Sequence, residues 1–246
     1  MTILVTGGSK GIGRGIAERF AADGAHVLVN YSSDDAAAAE AAAAIEAKGG
    51  KVTLLKGDLG DAAGVAALAE RVRDVTSRLD QIVHCAVRPL AVSPLEVDLA
   101  DFDQAVWINA TALLALVQQL QPLLVDGSSV YYISSRGSKL AVRNYVAIGA
   151  PKAMAESLVR YLAVDLAPRG IRVNTVSCSG VLTDAIRAIR PNAEERAARM
   201  AAASPSGRNV TPEDVAAVVH HLASPDMAMV TGREVFVDGG MYTAAD

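Results

Sequence analysis

At 246 residues, 51% of them hydrophobic, the chain is long enough for one sizeable α/β core. A formal net charge of −4, spread along the sequence, gives no basic footprint for nucleic acid and favours a soluble protein that binds a small ligand. No apolar run reaches the length of a membrane span, and the first strand pattern starts almost at Met1, so no leader is expected and the cytoplasm is the expected compartment.

The first apolar run, Thr2-Ile3-Leu4-Val5-Thr6, reads as a β-strand and passes through a glycine-rich turn into a helical pattern at Ile12, Ile16 and Phe20. A second strand, His26-Val27-Leu28-Val29-Asn30, precedes an alanine-rich helix over 34–48, and a third strand covers 51–55. A helix over 61–78 leads to a strand at 81–84, and a long helix over 101–125 leads to a strand at 129–133. Then come a helix over 145–167, a strand over 171–176, a helix over 211–223 and a strand over 234–237. Strands alternating with helices of this length predict an α/β fold: a single doubly wound parallel sheet with helices on both faces, in one domain without a linker or repeat. Between 182 and 208 the sequence is polar and rich in Ala and Arg, with Pro191 and Pro205. It reads as a substrate lid after the sixth strand, or else as a solvated helical excursion.

Thr6-Gly7-Gly8-Ser9-Lys10-Gly11-Ile12-Gly13 joins the first strand to the first helix. Glycines at 7, 11 and 13 let the backbone turn tightly and approach a pyrophosphate, which the free N–H groups of the helix start then hold. The two cysteines, Cys85 and Cys178, make no disulfide framework, and neither has a neighbour in sequence that would activate it as a nucleophile. The four histidines form no metal spacing and no Ser-His-Asp order, and His84 at a strand end reads as a structural hydrogen-bonding group.

The T-G-x-x-x-G-x-G spacing resembles that of short-chain dehydrogenases/reductases, and the resemblance extends over essentially the whole chain. Asp58-Leu59 after the third strand is similar to that family's adenine-contacting pair. Asn109, Ser135, Lys152, the Arg172-Val173-Asn174 run and Val237-Asp238-Gly239-Gly240 match further family positions. The resemblance implies a Rossmann-type nucleotide domain, a tetramer, and a dinucleotide held by Gly7, Ser9, Lys10, Gly11, Ile12, Gly13, Asn30, Tyr31, Ser32, Asp58, Leu59, Cys85, Ala86, Lys152, Gly180 and Thr183. NAD enzymes of this fold place an acid at the end of the second strand. Here that end reads Asn30-Tyr31-Ser32-Ser33, with no carboxylate until Asp34, and Lys10 offers a cation for a 2′-phosphate. NADPH is therefore expected ahead of NADH.

Three places depart from the family pattern. The usual Asn-Asn-Ala-Gly is His84-Cys85-Ala86-Val87, and the usual Pro-Gly is Ser179-Gly180. Pro151, directly before Lys152, predicts a kink unless its helix is only beginning there. The third departure concerns the reacting group: counting from Lys152 and from Ser135, the position of the family's tyrosine is Ile148, which donates no proton. Tyr145 lies three residues earlier, on the same face if that segment is helical.

A phenol moved by one turn, about 4.5 Å along a helix, follows the oxygen of a thioester enolate when hydride lands on the β-carbon. It would act there as an oxyanion-hole donor. Tyr-x6-Lys, with Ile133-Ser134-Ser135 and Arg160-Tyr161-Leu162-Ala163-Val164, resembles the NADPH-dependent enoyl-acyl-carrier-protein reductases. The resemblance gives Tyr145, Lys152, Ser135 and Asn109 as the catalytic set, with Lys152 lowering the phenol's pKa. It also gives a carrier-linked or coenzyme-A-linked acyl substrate. The second tyrosine common in those relatives is absent, since Ser135 and Ala141 occupy its two candidate places. A reductase of carbonyl or conjugated C=C groups on another biosynthetic intermediate remains open, as does a catalytically silent nucleotide-binding protein.

Overall fold

The apolar runs pair edge to edge in the computed structural model of the protein, which describes residues 1–243. They form β1 (Thr2–Thr6), β2 (His26–Tyr31), β3 (Lys51–Lys56), β4 (Leu79–His84), β5 (Leu124–Ser135), β6 (Arg172–Cys178) and β7 (Glu234–Val237). All neighbours are parallel, in the order β3-β2-β1-β4-β5-β6-β7. The chain order reverses between β1 and β4, and that reversal opens a crevice at the carboxyl ends of the strands, where this sheet type binds ligands.

A parallel sheet covered on both faces needs strands that are apolar on both faces. β1 meets that demand, with Ile3, Leu4 and Val5 fully buried. Leu4, Leu28, Ile82 and Val130 point to the face covered by α3 (Ala62–Val75), α5 (Ala112–Leu120) and α6 (Val146–Leu166). Ile3, Val5, Val27, Val29 and Val83 point to the other face, against α1 (Gly11–Ala21) and α9 (Pro212–Leu222), with Ile45 of α2 (Asp35–Ala47) completing that core.

Three expectations change. The helix expected over 101–125 is divided into α4 (Leu99–Val106), a π-helical turn over Trp107–Thr111, then α5 and a 3-10 turn over Gln121–Leu123. The π turn occurs because other groups take its carbonyls: His84 Nε2 meets the Ile108 carbonyl at 3.2 Å, and the Tyr132 hydroxyl donates to Asn109 O at 2.5 Å. β5 is longer than the expected 129–133, since its start pairs Leu124 with Leu79 before a register shift. Residues 182–208 contain two helices, α7 (Asp184–Ile189) and α8 (Ala193–Ala203), which stand over the crevice. No helix among the described residues is long and apolar enough to cross a membrane.

Candidate active site

One cleft, of about 370 Å³, runs across the carboxyl ends of the strands. Gly7, Ser9, Lys10, Gly11, Ile12, Tyr31 and Ser32 line it, as do Cys85, Ala86, Ser135, Tyr145 and Lys152, and Gly180, Thr183 and residues of α7 and α8 complete the lining, with Thr183 next to Gly11. The glycine-rich turn has the geometry of an anion cradle. Gly7 has φ +63°, and a Cβ there would stand 2.9 Å from Ala86 Cα. Gly13 lies beneath the cradle, where a Cβ would meet the Gly7 carbonyl at 2.3 Å, so only glycine lets α1 start so close to β1. Lys10 is the N-cap of α1 and makes no side-chain cap, so the helix start keeps N–H groups for a ligand.

Tyr145 is not on the helix. It is the N-cap of α6, at φ −131° and ψ 11°, and follows Asn144 in a left-handed conformation with φ 54°. Asparagine tolerates that conformation better than other residues with a side chain. The kinked approach lays the tyrosine ring against Gly137, where a Cβ would come within 2.5 Å of its Cδ1 and Cε1. The phenol oxygen then reaches Ser135 Oγ at 3.3 Å. The helical-face argument is thus corrected: backbone geometry at 144–145 returns the hydroxyl to the serine. Ile148 is buried, and its side chain lines the cleft where the family's phenol would stand.

The electrostatics also differ from expectation. Burial pushes the Tyr145 pKa up, Ser135 offsets part of that, the Cys178 thiol adds to it, and the cation that helps to lower it is Arg190. Lys152, expected to depress the phenol, instead donates to the Ile133 carbonyl at 2.6 Å and lies 5.1 Å from the Tyr132 ring centroid. Its own pKa is lowered by burial. Burial pushes the Cys85 thiol up to about 11 and the Cys178 thiol up to about 12, so both stay protonated near neutral pH and are poor nucleophiles.

Behind the middle of the cleft, Thr6 and His84 hold each other, and His84 and Asn109 hold the neighbouring backbone. The Thr6 hydroxyl accepts from the N–H groups of Cys85 and Ala86, both at 3.2 Å, so its own hydrogen goes to His84 Nδ1 at 3.0 Å. That leaves His84 neutral with its proton on Nε2, facing Ile108 O, and burial lowers its pKa to about 4. Pro151 lies inside α6, not at its start, and supplies no N–H to the carbonyl of Ala147 four residues back. Asn109 Nδ2 donates to that carbonyl at 3.0 Å, while its Oδ1 accepts from Arg88 N at 2.9 Å. The expected kink is thus met by a side-chain donor from the π turn. Lys139 ties the other end of the Tyr145 loop, with Nζ 2.5 Å from buried Glu156 and 2.8 Å from Glu234.

Several expected nucleotide residues stand elsewhere. Asn30 is buried and donates to the carbonyls of Leu55 and Gly57, at 3.1 and 3.0 Å, which ties β2 to β3. Asp58 and Leu59 lie outside the cleft lining, with Leu59 in the core and its carbonyl accepting from Trp107 Nε1 at 2.9 Å. Lys10 lines the cleft but pairs with Asp34. Sequence reasoning missed Gly137, the seat of the tyrosine ring, and three arginines that line the cleft, Arg136, Arg190 and Arg196. Gly137 could have been suspected from its place two residues after Ser135; nothing in the spacing of the arginines announces that they meet.

Comparison with known proteins agrees with this geometry. A family model described as enoyl-(acyl carrier protein) reductase matches residues 7–242. The chain is 31% identical over 244 residues to a 1-cyclohexenylcarbonyl-CoA reductase of Streptomyces collinus, covering 98% of this chain and 87% of that protein. Among solved structures, the angucycline C-6 ketoreductase LanV with bound NADP superposes with a TM-score of 0.90 at 32% identity, covering 99% of this chain and 96% of that one. A short-chain dehydrogenase from Burkholderia cenocepacia in complex with NADP gives 0.89 at 30% identity, over 98% and 97% of the two chains. The glycine cradle, the reversal of strand order and a match along nearly the whole sequence make this chain a member of the short-chain dehydrogenase/reductase superfamily of oxidoreductases.

Proposed function

We propose that the protein is an NADPH-dependent reductase that directs hydride to the β-carbon of a 2-enoyl thioester carried by coenzyme A or an acyl-carrier protein. The observation that carries this reading is the half-buried pair of Tyr145 and Ser135 hydroxyls, 3.3 Å apart, in the cleft that buried Ile148 also lines. Both hydroxyls can donate to one developing oxyanion. A phenol with a raised pKa, whose charge Lys152 does not offset, suits hydrogen bonding to an enolate. Carbonyl reduction asks more of it, because the proton then leaves for the alkoxide and a phenolate remains in a site where burial disfavours its charge. Asn109 acts as a positioning residue by holding the first turn of α6.

The residues present fit a nicotinamide dinucleotide. Its pyrophosphate would lie on the Gly7–Gly13 turn and the uncapped start of α1, with Tyr31 and Ser32 toward the adenosine and Lys152, Cys85, Ala86, Gly180 and Thr183 toward the nicotinamide. When bound, that cofactor supplies the hydride. NADPH is preferred because no carboxylate closes the end of β2 and Lys10 can turn from Asp34 to a 2′-phosphate. Asp34 keeps its other role, accepting from Ala37 N as the cap of α2. The lid over 182–208 would order around substrate. Tyr161 and Val164, each 73% exposed on α6, support self-association.

A second reading, carbonyl reduction, is favoured by the return of the Tyr145 hydroxyl to Ser135 and by the ketoreductase among the similar structures. Oxidation of NADPH and of NADH with crotonyl thioesters, beside a panel of ketones, separates the two. The enoyl reading expects turnover of crotonyl thioesters with NADPH, and a loss of about 10²–10³-fold in kcat for Tyr145→Phe. Turnover of ketones alone establishes the second reading, and an unchanged rate in Tyr145→Phe removes the phenol from the mechanism.

A further inference from the structure

Three guanidinium groups enter the cleft from three separate places. Arg136 follows Ser135 directly, Arg190 closes α7, and Arg196 lies on the cleft side of α8. Among the described residues none of them has a carboxylate within salt-bridge distance, although the lid contains Asp184, Glu194 and Glu195. Those acids pair with Arg187 and Arg199, neither of which lines the cleft. Arg190 is held in place by donating to the Arg143 carbonyl at 2.7 Å. The Nε of Arg136 is buried without a partner. Burial first, and then repulsion from Arg190, Arg136 and Arg199, disfavours the charge of Arg196. Like charges gathered in a partly enclosed space, with acids close at hand but used elsewhere, are an arrangement that an incoming anion stabilises.

Apolar side chains line the same cleft, among them Val142, Ile148, Ile189, Ala197 and Met200. The cleft thus combines apolar side chains with three guanidinium-bearing residues, and Arg190 is near enough to Tyr145 to act on its hydroxyl. We propose that Arg136, Arg190 and Arg196 form an oxyanion subsite, which binds a carboxylate or phosphate group carried by the substrate itself. Guanidinium forks recognise either group bidentately. The proposal rests on the reading of this cleft as a reductase site, and it narrows the substrate to an acyl compound with an anionic end or handle.

The test measures binding by calorimetry to enzyme saturated with NADP⁺, which keeps the nucleotide end closed to phosphorylated probes. Three probes share one 2-enoyl thioester unit: crotonyl-coenzyme A, with phosphates; the glutaconyl thioester of N-acetylcysteamine, with a terminal carboxylate; and the neutral crotonyl thioester of N-acetylcysteamine. At least one anionic probe is expected to bind tenfold or more tightly than the neutral one. That advantage should fall to within twofold in the double variant Arg190→Gln/Arg196→Gln, with the neutral probe unaffected. Arg190→Lys/Arg196→Lys should keep a clear part of it, and Arg199→Gln all of it. Which anionic probe carries the advantage identifies phosphate or carboxylate as the source. Equal binding of all three probes to the wild type overturns the proposal, as does a double variant that weakens neutral and anionic probes alike. Because the readout is binding, a failure of turnover overturns the enoyl reading without touching this one.

Discussion

The two ends of the cleft are built by different means. At the nucleotide end, backbone does the work: Gly7 and Gly13 bring main chain against main chain, and the supporting strands are buried on both faces. At the substrate end, side chains converge from the loop 136–145, α6 and the two lid helices, and most of them are only half-buried. The first end has one way to be assembled and little room to change. The second takes its chemistry from a few side chains that a local shift can move. A fold built this way can keep its backbone cradle while side chains at the other end change place, and here Ile148 stands in the cleft with Tyr145 reaching Ser135 from outside the helix.

Two alanine substitutions break this comparison most sharply. Gly13→Ala puts a methyl 2.3 Å from the Gly7 carbonyl, a backbone atom that cannot swing aside. We expect a loss of about 2–3 kcal/mol, or roughly 5–10 °C in Tm, and at least a tenfold weaker NADPH affinity in a fluorescence titration. Gly137→Ala puts its methyl 2.5 Å from the Tyr145 ring, which can rotate away. Here Tm and NADPH affinity should stay near wild type while kcat falls about 10²-fold, the loss typical of removing an oxyanion donor. If Gly137→Ala instead lowers stability as much as Gly13→Ala, the substrate end is as rigid as the nucleotide end and the contrast fails.

The same contrast governs what the sequence made legible. Strand periodicity and the glycine turn are local signals, so seven strands, the parallel sheet and the phosphate cradle follow from them. The break of the 101–125 helix depends on His84 and Tyr132 taking carbonyls at Ile108 and Asn109, contacts between residues more than twenty positions apart. Asn30 sits where a ribose contact was expected, but its amide is drawn to β3 by two carbonyls that strand spacing does not reveal. Spacing puts Tyr145 on a shared helical face, but a left-handed Asn144 ahead of the helix is what aims its hydroxyl at Ser135. The arginines are not legible in the sequence because only the packing of α7 and α8 beside the loop after β5 brings them to one cleft.

Acid should damage the backbone-built end by a separate route. In the fold His84 stays neutral down to about pH 4, whereas in the unfolded chain it takes up a proton near its ordinary value of 6.5. Between those values the unfolded state binds more protons, so stability is fully present above pH 6.5 and is lost as pH falls toward 4. The window corresponds to about 3 kcal/mol at most. Protonation would also place an N–H against the Thr6 hydroxyl, whose lone pairs are already taken by Cys85 and Ala86. Urea unfolding at pH 7 and pH 5 should show this slope in the wild type and a shallower one in His84→Asn. Equal slopes would mean that other groups set the acid limit.

The smallest expected effect lies at the seam between the two ends, where Asn109 and Pro151 share one task. The Ala147 carbonyl loses its helical donor to Pro151 and gains one from Asn109 Nδ2 at 3.0 Å. Asn109→Ala leaves that buried acceptor, and the N–H of Arg88, without a partner, which costs about 1–3 kcal/mol. Pro151→Ala restores an N–H within the helix, so the same asparagine deletion should then cost less by about 1 kcal/mol. The remainder is the Arg88 contact, which the proline does not influence. A double-mutant cycle in urea reads the coupling directly. Additive costs would show that Asn109 serves the Arg88 loop alone and that α6 tolerates its open carbonyl. A coupling of the expected sign makes Asn109 the donor that lets a proline stand next to Lys152, and so fixes the helix start from which both Tyr145 and Lys152 are aimed.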